Sequence, residues 1–254
     1  MDQLAKLVDN ARGLVARGYY RASASGVRAP SLREAIRKAE RAVIAEVKLA
    51  SPAAGALGPE DGVGHLLEAY LRGGACALSV LTEPNVFHGS LEHLRLAVGS
   101  GIPVLMKDIV VHPEQVECAA NLGASAVLLI ERAFHGHGVP HSSRSLIARA
   151  HALGLEVVLE VHTGWEYESA KTSEADVIGI NQRDLATMEL DRDTAARILR
   201  EHRKDRRPVI AMSGIATRGE VEALRAAGAD AVLVGTALVT SADPEAAVRA
   251  LVGG

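Results

Sequence analysis

Residues 43–48 have the sequence Val-Ile-Ala-Glu-Val-Lys, a short run of mainly apolar residues in which charged side chains appear towards the end. A segment with helical periodicity follows at 64–72, and a second apolar run, Ala-Leu-Ser-Val-Leu, occupies 77–81. This order is typical of two parallel strands connected by a helix. The stretch therefore predicts one strand–helix–strand unit of a parallel α/β fold.

The same alternation continues to the end of the chain. Eight apolar runs start 21 to 34 residues apart, which leaves room for one helix and two loops each time. The predicted strands are 43–48, 77–81, 104–107, 126–130, 156–161, 177–181, 209–213 and 231–235. The predicted helices are 64–72, 90–98, 113–122, 143–152, 165–171, 194–202, 219–226 and 244–251. Eight units of such even length predict a single (β/α)8 TIM barrel and favour it over an open, doubly wound sheet.

Residues 1–42 precede the first strand and are predicted to form an N-terminal helical extension, so that the barrel occupies 43–254. Ser31 and Glu34 have the spacing of a capping box that opens a helix over 32–41. Thr217 and Glu220 have the same spacing before a later helix. The stretch 22–30, rich in Gly, Ser and Ala, predicts a flexible link within the extension.

The composition excludes several classes of protein. Hydrophobic residues make up 48% and charged residues 23% of the 254 residues, which is too apolar for a disordered chain. Aromatic residues make up only 3%, which favours an aliphatic core and argues against a platform for stacking nucleic-acid bases. The formal net charge of −3 provides no basic excess for binding a phosphate backbone. We therefore expect no nucleic-acid partner.

The expected compartment is the cytoplasm. Two cysteines, Cys76 and Cys118, are too few for a disulfide framework, and both are predicted to be buried thiols. The first residues lack the basic and then apolar layout of a signal peptide. Since no stretch approaches the roughly 18 apolar residues of a membrane span, we expect no membrane association.

Polar side chains stand at the C-terminal ends of most predicted strands. A single residue of this kind is ordinarily a solvated charge, but five strands share the feature. In a barrel these ends form the mouth where chemistry takes place, and two lysines near two carboxylates in such a cavity are coupled electrostatically. The residues concerned are Glu46, Lys48, Lys107, Asp108, Glu160, Asn181, Arg183 and Ser213.

Glycine turns follow the seventh and eighth strands. They are Ser213-Gly214-Ile215 and Gly235-Thr236-Ala237. In barrels, these two loops and the helix N-terminus beyond them often bind phosphate, because glycine lets backbone N–H groups approach the anion. The two turns therefore predict a phosphate site.

Taken in order, these segments resemble the indole-3-glycerol phosphate synthase family, and the likeness runs from about residue 31 to the C-terminus. The matching segments are 44–52 (IAEVKLASP), 78–83 (LSVLTE), 87–91 (FHGSL), 103–108 (PVLMKD), 160–162 (EVH), 178–185 (IGINQRDL), 213–215 (SGI) and 231–238 (AVLVGTAL). The resemblance implies a carboxy-lyase of tryptophan biosynthesis. It would close and decarboxylate 1-(2-carboxyphenylamino)-1-deoxyribulose 5-phosphate, giving indole-3-glycerol phosphate, CO2 and water.

The resemblance also implies a role for each matching residue. Lys107 is the general acid at the substrate carbonyl, while Lys48 contacts phosphate and assists proton transfer. Glu46 and Glu160 transfer protons and stabilise a cationic intermediate, and Asn181 orients them. The other implied active-site and substrate-binding residues are Ser213, Arg183, Phe87 and Ser51, and the implied phosphate site adds Gly214, Gly235 and Thr236 to Lys48.

The resemblance further implies that no metal and no organic cofactor is needed, and that the partner is a small sugar phosphate. We expect a monomer or a weak homodimer. The segment before the first strand is expected to cover the barrel mouth.

Four positions depart from the pattern expected for the family. Ala53 stands in place of a serine, Ile109 in place of a phenylalanine, and Met212 in place of a glutamate. Glu131 follows the fourth strand where an apolar or small residue is expected. Ala53, Ile109 and Met212 are therefore expected to alter the aryl end or the charge balance of the substrate site.

These departures leave alternatives open. One is a divergent paralogue that acts on a modified aryl-amino sugar phosphate in a specialised pathway. Another is a non-catalytic barrel that binds a phosphate ligand, and such a protein would not need Lys107. A sugar-phosphate isomerase is disfavoured, because those enzymes typically use Asp or Cys where this chain has Glu46 and Glu160.

Three histidines, His135, His137 and His141, lie in one segment after the fourth strand. Their spacing predicts a flexible loop, with a metal site as the alternative. Trp165 is predicted to pack at the start of a helix, and His88 and His162 to pack near the mouth.

Overall fold

A computed structural model describes residues 2–27, 30–51, 55–58 and 62–253. Its helices are α1 (Gln3–Ala16), α2 (Leu32–Lys38), α3 (Val63–Arg72), α4 (Leu91–Val98), α5 (Pro113–Leu122), α6 (Ser143–Ala152), α7 (Gly164–Lys171), α8 (Thr194–Glu201), α9 (Arg218–Ala227), α10 (Thr236–Val239) and α11 (Pro244–Val252). Its strands are β1 (Ala42–Val47), β2 (Ala50–Ser51), β3 (Gly55–Ala56), β4 (Ala77–Leu81), β5 (Val104–Lys107), β6 (Ala126–Ile130), β7 (Glu156–Val161), β8 (Val177–Asn181), β9 (Val209–Met212) and β10 (Ala231–Val234). A 3-10 helix, Glu131–Phe134, follows β6.

Eight parallel strands close into a barrel in the order β1, β10, β9, β8, β7, β6, β5, β4. The predicted (β/α)8 barrel is confirmed, and the doubly wound alternative is wrong because β1 pairs with both β4 and β10. The predicted bounds of β4 to β8 are those observed; β1 is shifted by one residue at both ends, and β9 and β10 each end one residue earlier than predicted. Outside the barrel, β2 and β3 form a small antiparallel pair.

The side chains of the barrel strands alternate between two hydrophobic clusters. In β1, Val43, Ala45 and Val47 face the surrounding helices, whereas Ala42 and Ile44 belong to a second cluster that fills the barrel. Period-2 alternation then places Glu46 on the interior face, one step nearer the mouth than Ile44. This rule decides which strand-end side chains point into the mouth.

The two helices before β1 lie at opposite ends of the barrel. The apolar face of α1 joins the same cluster as Ile109, Ile130 and Leu185, and the Gln3 N–H donates to the Ala186 carbonyl, so α1 lies at the mouth. The start of α2 lies at the other end, where the Ser31 hydroxyl donates to Glu156 at the beginning of β7 (2.5 Å).

The two capping boxes predicted from the sequence differ in the structure. The Thr217–Glu220 box is confirmed in both directions. In α2, the Ser31 hydroxyl accepts from the Glu34 N–H, but the Glu34 carboxylate pairs with Lys38 (3.3 Å), so the reciprocal bond predicted there is wrong. The helix also ends at Lys38 rather than at residue 41.

Two other expectations concern the link and the membrane. Residues 22–27 and Pro30 of the predicted link have no regular secondary structure, and Arg28 and Ala29 lie outside the described residues. None of the described helices combines the length and the apolar character that crossing a bilayer requires.

Two tyrosines after α1 anchor the extension to the mouth. The Tyr19 hydroxyl donates to the Thr82 carbonyl (2.9 Å), and the Tyr20 hydroxyl donates to the Asp108 carboxylate (3.0 Å). Asp108 follows Lys107 in the sequence and is buried. Its carboxylate also accepts hydrogen bonds from the Thr82 hydroxyl and the Ile109 N–H. Burial outweighs these donors and raises the pKa of Asp108 to about 6.

The raised pKa of Asp108 predicts a pH-dependent stability. Between about pH 4 and pH 6 the native carboxyl holds a proton that the unfolded one has lost, so the free energy of unfolding falls as pH rises through this window. Asp108→Asn cannot ionise, so its stability deficit relative to wild type should shrink by about 2 kcal/mol between pH 4 and pH 7. Urea unfolding of both proteins across this range measures the difference. An unchanged deficit would contradict the assignment, and the exposed Asp9→Asn is the control.

Candidate active site

Two lysines and two glutamates meet at the barrel mouth. The Lys107 Nζ lies 3.9 Å from Oε2 of Glu46 and 3.9 Å from Oε2 of Glu160. The Lys48 Nζ lies 3.3 Å from Oε1 of Glu46. Both carboxylates are buried, whereas the lysine side chains keep 18–19% of their surface exposed. The lysines are therefore the more exposed members of the cluster, and the carboxylates are the more buried ones.

The distances around Lys107 leave its ammonium group loosely held. Contacts of 3.9 Å are ion pairs but exceed the range of hydrogen bonds. Oε2 of Glu46 and Oε2 of Glu160 are buried and have no hydrogen-bond partner among the described residues. Buried carboxylate oxygens without a donor are costly, and both of these oxygens face the Lys107 ammonium group.

Strand alternation explains why these side chains converge. Leu105 of β5 and Val158 of β7 lie in the interior cluster, and Lys107 and Glu160 follow them by two residues on the same face. Asn181 ends β8 on the face of Val177. Charged groups from distant parts of the sequence therefore point towards one axis because the sheet closes.

Asn181 connects Glu160 to the neighbouring strand ends. Its Nδ2 donates to Oε1 of Glu160 (2.9 Å), and its Oδ1 accepts from the Ser213 hydroxyl (2.8 Å) and the Arg183 N–H (2.9 Å). Its backbone carbonyl contacts Nδ1 of His162 (2.7 Å). This network holds one oxygen of Glu160 and leaves the other towards Lys107.

A cavity of about 450 Å³ opens at this mouth. It is lined by every site residue predicted from the sequence except Glu160, which lies behind Lys107 and Asn181: Glu46, Lys48, Ser51, Phe87, Lys107, Ile109, Asn181, Arg183, Met212, Ser213, Gly214, Gly235 and Thr236. The volume is in the range of small-ligand sites. The structure therefore brings the predicted residues together around one space.

The loop after β8 forms a wall of the cavity that sequence reasoning missed. Arg183 and Leu190 form an antiparallel bridge, and the Arg183 guanidinium donates to the Met188 carbonyl (2.8 Å). This fold of the loop turns Leu185, Met188, Leu190 and Arg192 towards the cavity. The sequence contained a weak signal, since apolar residues recur after the Asn-Gln-Arg-Asp motif.

An ion-pair network supports this loop from outside the cavity. The Arg132 guanidinium contacts Oδ1 of Asp184 (2.8 Å) and Oε1 of Glu166 (2.8 Å), joining the 3-10 helix after β6 to α7 and to the loop after β8. Burial alone raises the pKa of Asp184, but the Ala186 N–H and the Arg132 guanidinium hold it below its usual range. Arg132 thus holds together the segments that carry Glu166 and Asp184 at the mouth.

The glycine turns lie at one end of the cavity and are tightly packed. Gly214 has φ of +74°, and a Cβ there would lie 2.9 Å from Leu190. A Cβ at Gly235 would lie 2.5 Å from Oε1 of Glu46. Arg192 lines the same end and pairs with Glu220 (2.9 Å).

The residues that depart from the family pattern have different surroundings. Ile109 and Met212 are buried and line the cavity, and the end of the Met212 side chain occupies the space above Gly179. Glu131 does not line this cavity; it accepts from the Ser169 hydroxyl (2.8 Å) and contacts His135 (3.2 Å). Ala53 lies outside the described residues.

The three loop histidines have separate partners. His135 contacts Glu131, His137 contacts Asp2 (2.9 Å), and the ring of His141 packs against His112. No group of three or more potential ligands is placed to hold a metal ion in the part of the chain that the structure describes. The metal alternative for this loop therefore has no structural support.

Several other predicted positions need correction. Trp165 does not pack into the barrel: it is 65% exposed, and its ring makes an edge contact with the His135 ring (5.4 Å). His88 is exposed. Cys118 is buried as predicted, but Cys76 is only partly so, and burial raises the pKa of Cys118 to about 12 and of Cys76 to about 11.

The chain is similar to known proteins of one family along most of its length. The family model "Indole-3-glycerol phosphate synthase" matches residues 7–251, so the likeness starts before residue 31 and includes most of α1. A relative of that name from Mycobacterium avium is 47% identical over 221 residues, which is 86% of this chain and 79% of its own. Another, from Mycobacteroides abscessus, is 44% identical over 229 residues, with the same shares covered.

Among solved structures, an N-acetylmannosamine-6-phosphate 2-epimerase from Clostridium perfringens superposes with a TM-score of 0.64 at 14% identity, covering 85% of this chain and 93% of that chain. At that identity the likeness shows the fold alone. The family model and the relatives carry more: the chain belongs to the indole-3-glycerol phosphate synthase family.

Proposed function

We propose that this chain converts 1-(2-carboxyphenylamino)-1-deoxyribulose 5-phosphate into indole-3-glycerol phosphate, CO2 and water. The observation that carries the proposal is the position of Lys107. Its Nζ lies 3.9 Å from Oε2 of Glu46 and 3.9 Å from Oε2 of Glu160, at a cavity with apolar walls. The reaction needs an acid at a carbonyl, groups that tolerate a transient cation and a base for the final proton. This cluster supplies all three.

Lys107 is the general acid of ring closure. The aryl carbon that carries the carboxylate attacks the ketone carbon, and the Lys107 ammonium gives a proton to the ketone oxygen, which becomes a hydroxyl. The attack leaves a positive charge on the arylamine, and the buried carboxylates of Glu46 and Glu160 stabilise it. Loss of CO2 returns the bonding electrons to the ring and removes the charge.

Dehydration completes the indole. The hydroxyl formed in the first step leaves as water after a proton is returned to it, and a proton is lost from the neighbouring carbon. Oε2 of Glu160 is the base we assign, because Asn181 occupies its other oxygen (2.9 Å) and orients the carboxylate. Lys48, paired with Glu46, lies where it assists proton transfer.

The glycine turns and their neighbours hold the phosphate. Gly214, Gly235 and Thr236 line one end of the cavity, and Lys48 lines the same space. A Cβ at either glycine would collide with Leu190 or Glu46, so the close backbone approach depends on glycine. Ser51 and Arg183 complete the substrate contacts that we assign.

The aryl group fits the apolar part of the cavity. Phe87, Ile109 and Met212 line it together with Leu81, Leu128 and Leu233. Because Met212 is buried and uncharged where the family pattern has a carboxylate, a second candidate is a paralogue whose substrate carries a modified aryl group. A non-catalytic binder is disfavoured, because it would not require Lys107 between two carboxylates.

The remaining features of the proposal concern partners and location. The substrate is a small sugar phosphate, and the proposed roles require neither a metal nor an organic cofactor. We propose that the protein works in the cytoplasm as a monomer or a weak homodimer.

Lys107→Met tests the general acid. The change keeps the length of the side chain but removes the ammonium, so turnover should fall by about 10²–10⁴-fold. Fluorescence of the indole product follows the reaction, and circular dichroism checks the fold. Lys38→Met, on the exposed face of α2, is the matched control and should keep wild-type turnover. A Lys107→Met variant that retains a tenth of the activity would contradict the role.

Gly235→Ala tests the position of Glu46. The added Cβ would lie 2.5 Å from Oε1 of Glu46 and must displace that carboxylate. Displacements of about 1 Å at reacting groups cost on the order of 100-fold, so kcat/KM should fall by that order. Gly64→Ala meets nothing within 4 Å and is the control. Equal activity of the two variants would show that Glu46 is not needed in its observed place.

Met212→Glu tests the apolar end of the cavity. Glu restores the carboxylate that the family pattern has at this position, and burial raises the pKa of a carboxyl placed there. We expect kcat/KM of the variant to gain a pH dependence around the new ionisation, because only the ionised carboxylate can accept a proton or pair with a lysine. The isosteric Met212→Gln lacks the charge and should keep the wild-type pH profile. If both variants share one profile, charge at this position does not matter.

A further inference from the structure

Glu83 is a fully buried carboxylate that does not line the catalytic cavity. Its Oε1 accepts from the Asn85 N–H (2.7 Å) and from Nδ2 of Asn10 (2.8 Å). Its Oε2 accepts from the N–H groups of Val86 (2.7 Å) and Phe87 (3.1 Å). No lysine or arginine among the described residues lies within ion-pair distance, so these four N–H donors stabilise the charge.

Three of these donors are consecutive backbone amides of the loop after β4. The loop closes on itself, since the Gly89 N–H donates to the Glu83 carbonyl (2.8 Å). Amides in such a loop have no carbonyl partner from a sheet or helix, and the Glu83 carboxylate accepts their hydrogen bonds instead. The conformation of residues 85–87 therefore depends on one side chain.

The loop carries two elements of the catalytic cavity. The Phe87 side chain lines the cavity directly. The Phe87 carbonyl accepts from the Ala50 N–H (3.1 Å), which joins the loop to β2 and to the segment that carries Lys48 and Ser51. A shift of residue 87 moves both a wall of the cavity and the start of that segment.

Helix α1 contacts the same carboxylate. While Nδ2 of Asn10 donates to Glu83, Oδ1 of Asn10 accepts from the Asn85 side chain (2.7 Å). Asn10 thus links the helix to two residues of the loop, Glu83 and Asn85. The fourth hydrogen bond of Glu83 exists only when α1 lies in its observed place.

We propose that Glu83 is a positioning residue for the aryl-binding end of the cavity, acting through Phe87, and that Asn10 couples the docking of α1 to the same loop. The inference rests on the proposed function for the identity of the ring that Phe87 contacts. Glu83 touches neither the cavity nor the reacting atoms, so its effect on the reaction must pass through residue 87.

A double-mutant cycle tests this path. Glu83→Gln keeps the size of the side chain but turns an NH2 group towards backbone donors, and kcat/KM should fall about tenfold. Phe87→Ala should lower kcat/KM by a similar factor. If Glu83 acts through Phe87, kcat/KM of the double variant also falls about tenfold, whereas independent effects would multiply to a loss of about a hundredfold. The hundredfold result, or an unaltered Glu83→Gln, overturns the proposal.

Glu131→Gln is the matched control for burial. Glu131 is a buried carboxylate of the loop after β6 and does not line the cavity, so kcat/KM should stay at the wild-type value. A loss equal to that of Glu83→Gln would mean that any buried carboxylate at the mouth matters equally, and this also overturns the proposal. Asn10→Ala removes one of four donors and should lower kcat/KM about threefold even if Glu83→Gln folds poorly.

Hydrogen exchange gives a measurement that does not depend on turnover. Glu83→Gln should speed deuterium uptake at the amides of Asn85, Val86 and Phe87 and, through the Phe87 carbonyl, at Ala50, while the amides of β7 and β8 stay protected. Unchanged uptake at Ala50 overturns the coupling. A wild-type protein without turnover would refute the proposed function, whereas the exchange pattern tests the loop independently.

Discussion

The Lys107 ammonium between Glu46 and Glu160 requires that the ends of β1, β5 and β7 converge on one axis. These strands are not neighbours in the sheet, so no local motif brings the three groups together. Only closure of the barrel does so, together with the alternation that turns every second side chain inwards. The apolar interior below them, with Ile44, Leu105 and Val158 on the same faces, therefore aligns the chemistry.

The strands and most helices were predictable because their signals are local. Runs such as 126–130 and 177–180 are apolar along their whole length, as expected for strands covered on both sides, and polar residues follow them at Glu131 and Asn181. The short helix α10 and the β2–β3 pair were missed, because four-residue and two-residue elements have no measurable periodicity. The sequence could not show that α1 and α2 lie at opposite ends of the barrel, because an amphipathic pattern shows which face of a helix is buried but not which element covers it.

The candidate site was predictable in its strand-end residues and not in its loops. Glu46, Lys107 and Asn181 are placed by strand register, which the sequence pattern specifies. Met188 and Leu190 reach the cavity because the loop after β8 folds back through the Arg183–Leu190 bridge, and the apolar residues after the Asn-Gln-Arg-Asp motif were only a weak signal of this fold. Glu131 shows the converse: it follows a strand, yet the 3-10 turn directs its side chain to Ser169 and away from the cavity.

The buried carboxylates of the mouth divide according to what satisfies them. Glu83 accepts four N–H donors, and Glu166 accepts from Arg132 and from the amides of His162 and Thr163, so both are committed to holding loops. Glu46 and Glu160 each keep one buried oxygen without a donor. Glu131 also keeps such an oxygen, but among the described residues no lysine lies within ion-pair distance of it, so an unsatisfied oxygen alone does not indicate chemistry. An unsatisfied oxygen beside a lysine that faces the cavity does indicate chemistry, because there the lysine can donate a proton and the carboxylate oxygen can accept one.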